Sequence, residues 1–390
     1  MLKKTMLGSV MTAALVLPVL ADKPADSRQA EKALLGQALF FDPSLSSPAG
    51  QSCATCHAAS AAFTDPNREL PVSKGVIPGR VGNRNTPTAM YAAFSPDFHF
   101  DKEEGLYVGG QFLDGRAATL EEQAKGPLLN PLEMANPDKR SVVEKVRRAA
   151  YSPDFDKVFG KGALDDTEQA YERIAEALAA FERTSQFSPF SSKYDAWLAG
   201  KAKLTQQELR GLRLFEAEDK GNCAACHPSK PGPKGEPPLF TDFTYDNLGV
   251  PRNPDNPFYK LPAQHNPAGA AWVDRGLGAT VNKPSEDGKF KVPTLRNIEL
   301  TAPYMHNGYF KTLRGSVVFY NDRDSKPRCK QKTVNEDIAL KQQCWPAPEV
   351  GANVNDEELG NLGLTEREID DIVAFMKTLN DGWQAATSTR

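Results

Sequence analysis

The amino-acid sequence predicts a mainly α-helical protein built from two similar modules with long irregular loops. Three observations lead there. The pattern Gly36-Gln-Ala-Leu39-Phe40 precedes Cys53-Ala-Thr-Cys56-His57, and it returns as Gly211-Leu-Arg-Leu214-Phe215 ahead of Cys223-Ala-Ala-Cys226-His227. Apolar residues recur at helical spacing over Tyr171, Ile174, Ala175, Leu178 and Phe181, and again over Ile369, Ile372, Val373, Met376 and Leu379. Sustained strand alternation is scarce, while residues 228–267 and 324–355 are dense in Pro, Gly and Asn, the composition of long loops that cover a cofactor in many helical folds.

Taken in chain order, residues 1–21 have the layout of a secretory signal. Lys3 and Lys4 form a charged start, residues 6–20 an apolar run, and Val19-Leu20-Ala21 a small-residue cleavage site, so cleavage is expected near Ala21 and the mature chain in the periplasm. A retained membrane anchor is the competing reading, weakened by the shortness of the run and by Pro18. No later segment approaches membrane-spanning length. Residues 22–200 make the first module and 201–390 the second, with polar, irregular residues 185–203 as the linker. The helix entering the second motif opens on a capping box, Thr205-Gln-Gln-Glu208, and the C-terminal helix on another, Thr365-Glu-Arg-Glu368.

With 40% hydrophobic and 25% charged residues in 390, the chain is of soluble globular type and long enough for two cores. The formal net charge of −3 becomes −5 when residues 1–21, with two Lys and no acid, are removed. A mildly acidic protein is a poor partner for nucleic acid.

Covalent haem attachment needs two thiols that reach the vinyl groups on one porphyrin edge, followed at once by an imidazole that coordinates the iron. Cys-x-x-Cys-His supplies that order of groups. Cys53, Cys56, Cys223 and Cys226 are therefore read as attachment points for two haem c groups, with His57 and His227 as iron ligands. The fold class sharpens accordingly to two cytochrome c-like haem domains. A structural zinc site would have to combine these pairs with each other or with distant histidines, and a thioredoxin-like pair needs no adjacent His; both readings rank below haem. The remaining cysteines, Cys329 and Cys344, are best read as a disulfide in an exported protein, with two unpaired thiols as the alternative.

Further segments carry a resemblance. Gln111-Phe-Leu-Asp-Gly-Arg116, Gln123 through Pro127 to Glu133-Met134, Arg84-Asn-Thr-Pro-Thr88, and Val292 to Asn297 through Leu300 to Gly308 are similar to the bacterial di-haem cytochrome c peroxidase and MauG family over nearly the whole mature chain. The resemblance implies an unequal pair: a peroxide-reacting haem on His57, with Glu133 and Gln123 in its distal pocket, and an electron-relaying haem on His227. It implies hydrogen peroxide as substrate, and as partner either a small electron-donor protein, such as a cytochrome c or a cupredoxin, or a protein substrate.

A calcium ion between the haems, held by Asn85, Thr301 and Pro303, is implied on the same ground, and these are the oxygen donors a hard cation prefers. Many family peroxidases carry a blocking histidine in the loop after the first motif. Here no histidine lies between His57 and His99, and His99 does not match that position. Where family peroxidases place a Met as distal ligand of the second haem, this register places Tyr320, as in MauG. A phenolate stabilises ferric iron relative to a thioether. Met134, Met305 and Met376 are core residues by default.

One departure is plain. The family usually has Trp before Asp-Gly-Arg as a relay between haems, and this chain has Leu113, which leaves Phe112 or a direct jump. Three functions follow: a peroxidase fed by a small donor, a MauG-like oxidase that modifies side chains such as tryptophan on a partner protein, or a non-catalytic di-haem electron carrier.

Overall fold

The computed structural model describes residues 27–385; the expected signal segment lies outside them. The first module runs through α1 (Ser27–Phe40), α2 (Cys53–Cys56), the hairpin strands β1 (His99–Asp101) and β2 (Leu106–Val108), then α3 (Leu120–Leu129), α4 (Lys139–Arg148), α5 (Ser152–Phe159) and α6 (Thr167–Glu182). The second follows with α7 (Lys193–Leu198), α8 (Gln206–Glu216), β3 (Tyr245–Asp246), α9 (Leu277–Val281), β4 (Phe290–Lys291), α10 (Leu313–Asp322), α11 (Glu336–Gln342) and α12 (Glu366–Lys377). The strands form two antiparallel pairs, β1 with β2 and β3 with β4, so the described architecture is mainly helical with long loops.

Each module is organised on one close helix pair, and the sequence repeat lies at the contact. In the first, α1 packs on α6, burying Leu35, Leu39, Phe40, Ile174, Leu178 and Phe181. In the second, α8 packs on α12, burying Leu212, Phe215, Ile369, Ile372 and Phe375. A Cβ on Gly36 would lie 1.8 Å from the Ala177 carbonyl oxygen, and one on Gly211 would lie 1.9 Å from that of Asp371. The glycine of each Gly-x-x-Leu-Phe segment is thus required by backbone approach, not by a turn. Gly36→Ala and Gly211→Ala should each destabilise their module by about 1–3 kcal/mol through helix displacement, read as a lowered denaturation midpoint. Equal midpoints would show that the helix pairs can slide apart without cost.

Both capping boxes form: Thr205 accepts from the Glu208 amide and Thr365 from the Glu368 amide. The polar stretch at 185–203 departs from its reading as irregular linker. Lys193–Leu198 is helical because Ser192 and Asp195 make a capping box, and Tyr194 is buried against Phe240 and Phe375 of the second core. Phe187 belongs to the first core, so the chain passes between cores just before α7.

Cys329 and Cys344 are joined as a disulfide, their Cα atoms 5.0 Å apart. It closes a loop beside a third cluster that includes Tyr309, Phe310, Phe319 and Trp345. Met134 and Met376 are buried in the first and second cores, while Met305 packs against the third cluster. Among the described residues no helix is long and apolar enough to cross a membrane.

Candidate haem sites and the cavity between them

The two Cys-x-x-Cys-His motifs are presented in parallel ways. Cys53–Cys56 is one turn of helix whose start is fixed by Ser52 and Thr55, the Ser52 amide donating to the Thr55 hydroxyl at 3.0 Å. Cys223–Ala225 forms a comparable short turn. All four thiols are unpaired and retain partial exposure. Burial pushes Cys53 up to about 12 and Cys56 up to about 11, and it pushes Cys223 and Cys226 up to about 12. Among the described residues no group of three or more His, Cys, Asp or Glu is placed to hold a metal, so the pairs are not halves of one zinc site.

Each motif histidine is aimed by a carbonyl. His57 Nδ1 lies 3.0 Å from the Phe63 oxygen, and His227 Nδ1 lies 2.7 Å from the Phe240 oxygen. A carbonyl only accepts, so Nδ1 carries the proton and Nε2 keeps its lone pair for a metal. Burial lowers both imidazole pKa values and keeps the rings neutral. Phe63 and Phe240 both adopt left-handed backbone, φ 53° and 54°. Such a conformation is strained for a bulky side chain. Its repetition at both motifs shows the same device turning a carbonyl onto the ring.

The modules differ in what faces the motifs. Beside the first, a cavity of about 250 Å³ is lined by Phe112, Arg116, Gly126, Pro127, Asn130 and Glu133, among others. Burial raises the Glu133 carboxyl above the usual range, opposed by the Arg116 charge and by Asn130, whose Nδ2 donates to Glu133 Oε1 at 2.6 Å. The Glu133 charge also contributes to raising both Cys53 and Cys56, so it lies within electrostatic reach of the first motif. Gln123 lies on α3 one turn before Pro127 and is not among the residues lining this cavity, so the structure brings Glu133, and not Gln123, to its wall. His99 is exposed at the start of the β1–β2 hairpin with Nδ1 against the Asp97 carbonyl.

The second motif opens on a larger, mostly apolar cavity of about 320 Å³, in the range of cofactor sites. Cys223, Cys226 and His227 line it together with Tyr320 on α10. Among the described residues the Tyr320 hydroxyl has no hydrogen-bond partner, and burial first, then the neighbouring cysteines, push its pKa upward. Tyr320 is half-buried at the cavity wall, which leaves its phenol available to a group bound there. Met305 and Met376 line the same cavity.

Asn85, Thr301 and Pro303 also face this cavity. The Asn85 amide nitrogen donates to Pro71 at 3.1 Å, which leaves its oxygen free, and no described donor reaches the Thr301 or Pro303 carbonyls. Amide and carbonyl oxygens are the donor type a hard cation takes. Phe112 lines both cavities, and Arg116 stacks over its ring with 3.5 Å from Cζ to the centroid; Leu113 lines the second cavity only.

Sequence reasoning missed the ion network that ties the modules together. Arg84 Nη1 pairs with Asp114 at 2.7 Å, and Arg84 Nε and Nη2 hold Asp274 at 2.6 and 2.7 Å. All three are largely buried. Arg84 and Asp114 stood in noted segments, but Asp274 is 190 residues from Arg84 and no local pattern announces it. Near Asp274 sits Glu349, whose Oε2 is buried without a hydrogen bond. Burial and then Asp274 push the Glu349 carboxyl up to about 7.

In the unfolded chain Glu349 would ionise near about 4.3. Between that value and 7 the folded protein binds the extra proton, so this group's contribution to stability falls as pH rises through the window. Glu349→Gln should accordingly raise stability by roughly 2 kcal/mol at pH 8 and leave it unchanged at pH 4, measured by denaturant titration at both. The same gain at both pH values would reject the ionisation cost.

Comparison with known proteins agrees with these features. Residues 30–203 match the family model for di-haem cytochrome c peroxidase. The chain is 43% identical over 378 residues to the methylamine utilization protein MauG of Paracoccus denitrificans, covering 94% of this chain and 93% of that one. It is 31% identical to the cytochrome c peroxidase Ccp of Escherichia coli, covering 94% of this chain and 61% of that longer protein. The crystal structure of the diheme peroxidase BthA from Burkholderia thailandensis superposes with a TM-score of 0.76 at 35% identity, over 92% of this chain and 87% of that one. With two haem-attachment motifs on one repeated scaffold and relatives of this identity along nearly its whole length, the chain belongs to the di-haem cytochrome c peroxidase family, oxidoreductases that include MauG.

Proposed function

We propose that this protein is an exported peroxidase that reduces hydrogen peroxide in the first module, with electrons entering through the second from a small donor protein. The observation that supports this most is the inequality of the two cavities: a carboxyl with a raised pKa lines the first, and a phenol without a hydrogen-bond partner among the described residues lines the second. Haem bound at each motif supplies the redox chemistry.

The protein's own part at the first site is positioning and proton handling. His57 Nε2 is held toward the iron position by the Phe63 carbonyl. Burial raises the Glu133 carboxyl and favours its protonated form, which suits a group that passes a proton between the two oxygens of peroxide. Asn130 fixes one carboxyl oxygen and leaves the other to act. No histidine of the first module other than His57 stands near this cavity among the described residues, consistent with a peroxide site open without prior reduction.

In the second module Tyr320, which lines one cavity with His227, is the proposed second residue that would hold the haem iron. Tyr320→Met should raise the second haem's reduction potential, since thioether favours ferrous iron relative to phenolate. An unchanged potential and spectrum in spectroelectrochemistry would remove Tyr320 from the coordination sphere. A calcium ion on Asn85, Thr301 and Pro303 completes the proposed cofactor set.

A second reading, peroxide-driven oxidation of side chains on a partner protein, is favoured by Tyr320 and by the 43% identity to MauG. Leu113 counts against it, because a saturated side chain cannot serve as an oxidised relay. Steady-state assay separates the two. Fast peroxide-dependent oxidation of reduced cytochrome c supports the peroxidase. Modification of a partner protein without that turnover supports the oxidase, and absence of any spectral response to peroxide would leave a carrier.

A further inference from the structure

The second cavity is mostly apolar, yet one lysine reaches into its wall. Lys291 lies on β4 opposite Tyr245 of β3, and its peptide N–H donates to the Leu113 carbonyl at 2.8 Å. The backbone is therefore locked against the loop between the two cavities. Its Nζ donates to the Gly110 carbonyl and, at 3.4 Å, to the Ser95 hydroxyl. Both acceptors are neutral, and among the described residues no carboxylate pairs with this ammonium.

The nearest acid, Asp114, is already occupied by Arg84 at 2.7 Å and Arg116 at 2.9 Å. Burial lowers Lys291 to about 8, with Asp114 acting weakly in the other direction. Taking a cation out of water without a counter-ion is expensive. Among the described residues the third ammonium proton has no partner, and the residue lines the cavity along with Cys226 and His227.

Other ionisable groups surround this position, and one of them, Glu349 on the same cavity wall, is pushed up to about 7 by burial and Asp274. Burial pushes the Tyr245 phenol above its ordinary range, and its hydroxyl donates to the Gly109 carbonyl. His306, stacked on Phe290 at 3.6 Å, is lowered by burial to about 4. Arg84 keeps its charge between two carboxylates. Asp246, next to Tyr245 on β3, is raised by burial and held by Asn355 at 2.6 Å.

A haem carries two propionate carboxylates, and one held by the second motif would bring them to this cavity. We infer that Lys291 is the counter-ion of a carboxylate on the second haem, and that it couples the arrival of an electron there to the uptake of one proton. When a one-electron donor protein reduces the iron from ferric to ferrous, the site gains one negative charge. Above about pH 8, where the Lys291 ammonium gives up its proton while the iron is ferric, reduction draws one proton from solvent back onto the amine, and the charge balances. The inference rests on haem occupying the second cavity, and not on what either haem does with peroxide.

Potentiometric titration of the as-isolated holoprotein, followed at the second haem's absorption bands from pH 6 to 10, tests it without peroxide. In the wild type the midpoint should be level at low pH and fall above about pH 8 toward a slope of one proton per electron. Lys291→Met should lower the midpoint at pH 7 and abolish the slope. Lys291→Arg should keep the wild-type midpoint at pH 7 while losing the slope, since guanidinium does not deprotonate in this range. The Arg variant distinguishes loss of the charge from damage to the cavity. A Lys291→Met protein with wild-type midpoint and slope, or a Lys291→Arg protein that keeps the slope, would overturn the assignment. Loss of peroxidase turnover in either variant, with the potentials behaving as stated, would count against the proposed function alone.

Discussion

Replacing His57 with glycine is expected to abolish the reaction with peroxide and to leave the second haem's spectrum in place. His57 is the one imidazole presented by the first motif, with Nδ1 tied to Phe63 and Nε2 free. Its removal would take away the imidazole that would hold the iron at that site and would leave the second core untouched, because His227 is held separately by Phe240. Addition of peroxide to the ferric protein, followed by absorbance, gives the readout, and the second haem's bands report that the variant has folded. Retained activity would show that the two sites have exchanged roles.

The second large effect is expected from Glu133→Gln. The amide is nearly isosteric and is able to preserve contact with Asn130, but it cannot carry a proton between two oxygens. General acid–base catalysis by a positioned side chain is worth about 10²–10⁴-fold, so the peroxide reaction should slow by that order while the ferric spectra stay as in the wild type. Stopped-flow mixing with peroxide measures it. The wild-type rate should also carry a pH limb from the raised Glu133 carboxyl, absent in the variant. A variant with the parental rate would reduce Glu133 to a structural residue of the cavity wall.

Much of the site was legible because its chemistry is local. Cys53, Cys56 and His57 must be close in sequence to bind one porphyrin edge and its iron, and the same holds for Cys223, Cys226 and His227. The helix pairs were legible through periodicity and capping boxes, and the repeated Gly-x-x-Leu-Phe was visible before its reason was. That reason is tertiary: Gly36 and Gly211 are where one helix backbone rests on another. The linker at 185–203 was misread locally because the sequence is polar, whereas the burial of Tyr194 among Phe240 and Phe375 comes from residues far along the chain.

What the sequence by itself determined is the pair of haem-attachment motifs, the helical repeat that carries them and, through resemblance, the family. Only the tertiary structure decided that the pair is unequal in its surroundings. It brought Glu133, but not Gln123, to the wall of the first cavity, left the Tyr320 hydroxyl without a hydrogen-bond partner among the described residues in the second, and joined Arg84 to Asp274 across 190 positions. It also placed Lys291 in a cavity wall with no acid to pair with. Motifs are written in covalent order because covalent chemistry demands it. Charge, burial and vacancy of partners are properties of the space around a side chain, and that space is assembled from segments whose spacing in sequence carries no record of it.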